Sequence, residues 1–306
     1  MNPRMIFGLG ALVSLVLSLA SANAQTYDFD SYSVDEALSS QLGWGSSDTN
    51  EPLDRPDGVA VDSQGGGNFF IRNSSNNIVG ILGGFLLPDS TPSHTTTLLS
   101  AAVTNSPSSQ NPILRFRWAQ NILNADPDDN VRDRFGWTIR KTNGGTTSDL
   151  VALMLDPKHL LTEDPADKNT LLARAYNGSA ANFGNVINQA TAQALNRGAP
   201  YSFEILLDTS ANLWSARVGN NPDYLSSSTV WSTVIQNATL GLSSGDVITD
   251  FSATWILEAG NTTGAGENVM AFDDIRIEAV PEPSTFSLLT LGSLSLLASR
   301  RRRSRS

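Results

Sequence analysis

The sequence predicts an all-β protein, a two-sheet antiparallel sandwich, and three observations carry that prediction. Short apolar-patterned runs recur at sandwich-strand spacing, glycine- and proline-rich breakers fall between them, and only one short segment shows helical spacing. Composition agrees: 22 Asp against 8 Glu suits turns and strand ends, because Asp turns the chain readily and is a poor helix former. With 40% hydrophobic residues, 8% aromatics and 24 glycines among 306 residues, a core is available and wholesale disorder is excluded. The absence of cysteine excludes a disulfide framework, thiolate zinc sites and a catalytic thiol.

Taken in order, residues 1–24 come first. Arg4, the apolar stretch Met5 to Leu19 and the small-residue triplet Ala22-Asn23-Ala24 have the layout of a Sec-type signal peptide cut before Gln25. The expected partners are the Sec translocon and signal peptidase, and an N-terminal anchor helix is the alternative. Residues 25–280 follow as one ectodomain. Its clearest runs are Tyr27 to Tyr32, Ile78 to Leu87, Ile113 to Asn121, Arg134 to Thr142, Leu150 to Asp156, Tyr201 to Asp208, Leu213 to Val218, Val247 to Glu258 and Met270 to Glu278. In one of them Phe135, Trp137 and Ile139 share a parity opposite to Arg134, Thr138 and Arg140, which predicts one core face and one wet face. Asn143-Gly144-Gly145 and Gly219-Asn220-Asn221-Pro222 read as hairpin or loop signals, and Asn185 to Leu195 as the short helix. In the last run Met270 and Phe272 share one parity and Ile275 and Ile277 the other. An extra residue at Asp273-Asp274, a β-bulge, would bring all four to the same face.

The C-terminal segment 281–306 has three parts: Pro281-Glu282-Pro283, an apolar run from Phe286 to Ala298, and Arg300, Arg301, Arg302, Arg303 and Arg305. Prolines end the strand, the apolar run can form a short helix, and the arginines resist translocation. As a helix at ~1.5 Å rise the run covers about 20 Å, against roughly 30 Å of hydrocarbon. That mismatch suits a transient hold at the membrane better than a permanent span. Without the two ends, residues 25–280 hold 14 basic and 29 acidic residues, a net charge of −15. Such a surface argues against nucleic acid and anionic lipid and suits divalent cations or neutral glycans better.

The tripartite tail closely resembles the PEP-CTERM sorting signal of Gram-negative bacteria, on Val280, Pro281, Glu282, Pro283, Ser284 and Thr285, the apolar segment and the terminal arginines. The resemblance implies recognition by an exosortase, cleavage near the Pro-Glu-Pro motif, and passage from the inner membrane to the cell surface, outer membrane or extracellular matrix. Such proteins often accompany exopolysaccharide gene clusters, so biofilm is an expected setting. Separately, Tyr27-Asp28-Phe29-Asp30 and Phe272-Asp273-Asp274-Ile275-Arg276-Ile277 look like the first and last strands of concanavalin A-like (laminin G/lectin-type) jelly rolls, which commonly lie side by side. That resemblance implies a jelly-roll sandwich and, in some members, bound Ca²⁺. Asp28, Asp30, Asp273 and Asp274 would supply an oxygen-rich set if the terminal strands pair, although ordinary outward polar positions and bulge residues are the simpler account of them.

Other chemistry finds less support. Asp126 to Asn130 opens like a D-x-D-x-N calcium loop, but Val131 and Trp137 stand where an EF-hand needs Gly and Glu. No two glutamates have the E-x-D-x-x-E spacing of a glycosidase strand. His94 and His159, the two histidines, make neither a metal cluster nor a supported triad. Trp118, Trp137 and Trp255 read as core, while Trp44, Trp214 and Trp231 are freer to face a ligand. The expectation is a non-enzymatic exported surface or matrix protein with a structural or adhesive role. A carbohydrate-binding module, calcium-dependent or not, for extracellular polysaccharide is the alternative, and a polysaccharide-active enzyme the third reading.

Overall fold

A computed structural model of the chain describes residues 24–30, 44–46, 68–74, 77–83, 95–109, 111–124, 133–158, 162, 167, 169–188, 193–257 and 268–280. Most of the expected signal peptide including Ala22, the 281–306 tail, the Asp126 to Asn130 loop, and both histidines lie outside the described residues. The strands are β1 (Ala24–Tyr27), β2 (Trp44–Ser46), β3 (Asn68–Ser74), β4 (Asn77–Gly83), β5 (Thr95–Ala102), β6 (Ile113–Asn124), β7 (Asp133–Asn143) and β8 (Thr146–Pro157). They continue as β9 (Thr170–Asn177), β10 (Gln193–Asn196), β11 (Tyr201–Asp208), β12 (Leu213–Gly219), β13 (Trp231–Thr239), β14 (Val247–Leu257) and β15 (Asn268–Val280).

They form two antiparallel sheets. One is eight-stranded, in the order β13-β12-β11-β6-β15-β4-β3, with β1 also paired to β15; the other is seven-stranded, β10-β9-β8-β7-β14-β5-β2. Non-sequential neighbours such as β6 beside β15 and β7 beside β14 are the crossed connections of a jelly-roll sandwich. The first and last strands do lie side by side, Ala24 opposite Glu278 and Tyr27 opposite Ile275.

Alternation along the strands builds the core. Leu114, Phe116 and Trp118 of β6, Phe203, Ile205 and Leu207 of β11, and Phe135, Trp137 and Ile139 of β7 all point between the sheets and are buried. Trp137 stacks on Phe251 with ring centroids 4.3 Å apart, and Trp118 stacks on Phe203 at 5.4 Å. Gln120 keeps the inward parity and is buried: its Oε1 accepts from the indole N–H of Trp118 at 2.9 Å and of Trp137 at 3.0 Å. One amide oxygen thus satisfies two indole donors that would otherwise be stranded.

The expected bulge is present. Asp273 pairs with Ala119 and Arg276 with Arg117, so Asp274 and Ile275 face the single intervening Trp118. Asp274 takes a left-handed backbone, φ 51°, and Met270, Phe272, Ile275 and Ile277 all reach the core. The Asn143-Gly144-Gly145 signal is a two-residue hairpin: Asn143 pairs with Thr146, and Gly144 and Gly145 have φ of 56° and 85°. Positive φ at both central positions matches the strand twist.

Three expectations are corrected. The helix over Asn185 to Leu195 is not formed: a short 3-10 turn at Phe183–Asn185 is followed by extended chain, with Val186 bridged to Tyr176 and Gln193–Asn196 paired to β9. Asn188 holds that course, its side chain bonding the Ala175 N–H at 2.7 Å and the Ala173 carbonyl at 3.2 Å. The strand beginning at Tyr27 ends there, because Phe29 adopts φ 58° and turns into the core against Trp44 and Phe272. The outer face of β7 is not wet throughout, since residues 178–188 cover it and leave Arg134 and Thr138 buried.

Candidate functional site

Strands β6, β11, β12 and β15 place their second set of side chains on the outer face of the eight-stranded sheet. There Arg115, Arg117, Glu204, Arg217, Arg276 and Glu278 form one network, brought into register by the pairing of Glu204 with Arg117 and Arg217, and of Glu278 with Arg115. Glu204 is fully buried. Its Oε2 accepts from Arg117 Nε at 2.8 Å and Arg217 Nη2 at 3.0 Å, its Oε1 lies 2.6 Å from Arg217 Nε, and Arg115 Nε stands 3.8 Å away. Glu278 pairs with Arg276 and lies 3.6 Å from Arg115 Nη1. A buried carboxylate needs such partners, because its desolvation costs several kcal/mol on the order of the Coulombic gain.

The network holds four guanidiniums for two carboxylates. Burial, then the neighbouring Arg117, pulls the Arg115 pKa below its ordinary value despite Glu204 and Glu278. The arginine side chains remain partly open, 38% exposed for Arg217, 35% for Arg276 and 29% for Arg115. Two aromatics from the β12–β13 connection and the start of β13 flank them. Arg217 lies over the Trp231 ring at 4.3 Å, and Arg117 faces Tyr224 at 5.8 Å. The Tyr224 hydroxyl donates to the Asp274 carbonyl at 2.7 Å; burial and the Asp274 charge push its pKa up to about 12.

Grooves open on either side of this row along β6. One, of about 390 Å³, is lined by Ile113, Arg115, Leu206, Asp208, Ser215 and Asn237 among others; the other, also about 390 Å³, includes Asn121, Pro222, Asp223, Ala271, Asp273 and Asp274.

The four carboxylates expected to hold calcium are partly assembled. Asp28, Asp30 and Asp274 share one electrostatic neighbourhood and are joined by Asp223, which no sequence pattern singled out. Burial first, then Asp223, Asp28 and Asp30, raise the Asp274 pKa. Asp273 turns back to accept the Asp274 N–H at 2.8 Å. Among the described residues no three His, Asp or Glu side chains converge as a metal-holding group. Trp118, Trp137 and Trp255 are core as expected, and Trp44 and Trp214 are buried with them, leaving Trp231 half-exposed.

A second charged network lies on the outer face of the seven-stranded sheet. Asp156 accepts from Arg134 Nε at 2.9 Å and Arg174 Nη1 at 3.0 Å, and makes a short hydrogen bond with the Tyr176 hydroxyl. Arg134 also donates to the Ala180 carbonyl at 2.9 Å and lies under the Phe183 ring at 4.1 Å, so the network pins residues 178–188 to the sheet. Burial and Asp156 drive the Tyr176 pKa far up. Among the described residues the two fully buried carboxylates, Asp156 and Glu204, are therefore both arginine counter-ions.

Residues 279–303 match the PEP-CTERM protein-sorting motif. That motif implies sorting by an exosortase, with export, transient anchoring at the membrane and then the cell surface. No curated protein sequence matches the chain. Among solved structures it is similar to the CBM2 module of an evolved Dit protein from Lactobacillus casei BL23 phage J-1, at 13% identity and TM-score 0.46, covering 87% of this chain and 100% of that one. It is similar to basic winged bean lectin with Tn-antigen, at 12% identity and TM-score 0.45, covering 85% and 100%. It is also similar to an alginate lyase of Pseudomonas aeruginosa, at 13% identity and TM-score 0.39, covering 68% and 84%. These likenesses concern overall β architecture and assign neither ligand nor activity to this chain.

Proposed function

We propose that the chain is an exported surface or matrix protein whose sandwich serves a structural or adhesive role after its tail has been processed. The sorting-motif match is the observation that carries this: it begins at Ala279, within the last residues of β15, so cleavage beyond Val280 would leave every described strand intact. Mass spectrometry of the native protein from the cell surface tests it. The expected C-terminus falls between Pro281 and Thr285, and recovery of intact arginine-terminated chains from membranes alone would overturn the proposal.

A second reading is carbohydrate binding on the outer face of the eight-stranded sheet. The two grooves there support it, each combining amide, hydroxyl or carboxylate groups with apolar wall, which is how sugar hydroxyls and ring faces are met together. Saturable binding of the protein to the producing cells' exopolysaccharide is the expected result. No binding with or without calcium would leave the structural role alone.

A further inference from the structure

The charge of this protein is unevenly placed. Residues 25–280 carry −15 overall, yet four of their 14 basic residues, Arg115, Arg117, Arg217 and Arg276, meet in one patch on one sheet face. Packing like charges is unfavourable, and Glu204 and Glu278 offset only half of it. If the arginines served only to neutralise the buried Glu204, Arg117 and Arg217, which both donate to its Oε2, would suffice. Arg115 and Arg276 exceed that need, and three of the four remain about a third exposed. Each guanidinium has five N–H donors in a planar fork, so a carboxylate facing one edge leaves the other donors for a second acceptor.

The groove geometry says what that acceptor belongs to. From Ile113 in one groove to Asn121 in the other is eight residues of β6, about 27 Å at ~3.4 Å per residue. The positive row sits between the grooves; these present Asn237 and Asn121, which suit hydroxyls, and Asp208 and Asp223, which also accept from hydroxyls and would repel a second negative charge. Trp231 and Tyr224 stand at the edge of the row. We infer that this face binds an extended acidic polysaccharide. One anionic substituent sits on the arginine row, and neutral hydroxyls of the neighbouring sugars occupy the grooves. This rests on the carbohydrate-binding reading and names its ligand class. It also reverses the expectation that an acidic ectodomain takes neutral glycans, because recognition follows the local field of the patch and not the net charge.

The test is affinity electrophoresis of the full chain in detergent through gels containing sparsely carboxymethylated dextran, sparsely sulfated dextran or unmodified dextran. Expected is retardation by a charged polymer and not by dextran, the carboxylated and sulfated gels telling which anion is taken. Arg217→Gln and Arg276→Gln, both at open positions, should each weaken it about tenfold, as loss of a charge-assisted hydrogen bond does. Lys158→Gln, which removes one positive charge elsewhere, should leave it unchanged. Retardation by dextran equal to that of the charged polymers would overturn the acidic ligand and leave carbohydrate binding standing. No retardation in any gel would overturn both, and charged-gel retardation indifferent to both arginine variants would remove the site from this face. A variant that loses its cooperative melt is set aside in favour of the other, so the pair decides.

Discussion

At the scale of single residues, two acidic side chains respond to pH in opposite senses. Asp274 has a folded-state pKa raised by burial and by Asp223, Asp28 and Asp30, so the folded protein loses stability as pH rises from the unfolded carboxyl value through the raised one. Asp274→Asn should therefore raise Tm at neutral pH, with the gain vanishing in acid. Asn tolerates the left-handed φ of 51° at this position, which keeps the comparison clean. The gain should be the same in calcium and in chelator if the carboxylates only repel one another; a gain confined to chelator would show that they hold calcium. Asp246 is the reverse. Hydrogen bonds from Lys141, the Ser243 N–H and Asn143 hold its pKa at about 2, so its contribution is complete above the ordinary carboxyl value of 3.8 and is lost as pH falls toward 2. Asp246→Asn should lower Tm at neutral pH and converge with the parent in strong acid, and thermal melts across pH 2 to 7 check both variants. Gln120→Leu strands two buried indole donors and should cost about 2–5 kcal/mol by urea unfolding. Residue identity alone hid this role: Gln120 continues the inward parity of β6, but nothing local says that two tryptophans from different strands share its oxygen.

At the scale of elements, runs with strong alternation or firm turn chemistry were legible. Tyr201–Asp208 falls where its pattern places it, the Gly144-Gly145 hairpin follows from its glycines, and the bulge follows from a change of parity. β5, β9 and β13 were not picked out, since Thr95–Ala102 opens on three threonines and Trp231–Thr239 mixes polar and apolar residues on an edge strand. The arginine row was likewise hidden, because Arg115, Arg117, Arg217 and Arg276 lie on three strands far apart in sequence that only sheet order brings together. The covered face of β7 escaped for the same reason, its lid being residues 178–188. Asp156→Ala should uncover it: two buried guanidiniums lose their counter-ion, at a cost of about 3–5 kcal/mol. Hydrogen exchange should show faster exchange at 178–188, where Arg134 no longer holds Ala180. Unchanged protection there would mean that Phe183 and Val186 secure the segment by packing alone.

At the scale of the whole molecule, β15 is the strand on which the eight-stranded sheet depends. It pairs with β6 along its length and with β4 and β1 in succession on the other side. A chain ending at Phe272 should fail to fold, because it loses Ile275 and Ile277 from the core and leaves β1 without a partner. A chain ending at Val280 should melt with the full-length protein; circular dichroism of the two separates the outcomes. The antiparallel pairing of β1 and β15 also decides where the ends of the domain emerge. Ala24 stands across from Glu278, one strand spacing of about 4.8 Å away, and the chain runs outward from both in the same direction. The two ends of the described sandwich thus point the same way, like two cords from one knot. Segments bound for one bilayer at either end could therefore both be moored there while the domain hangs below, and either could be cut first without the domain having to turn over.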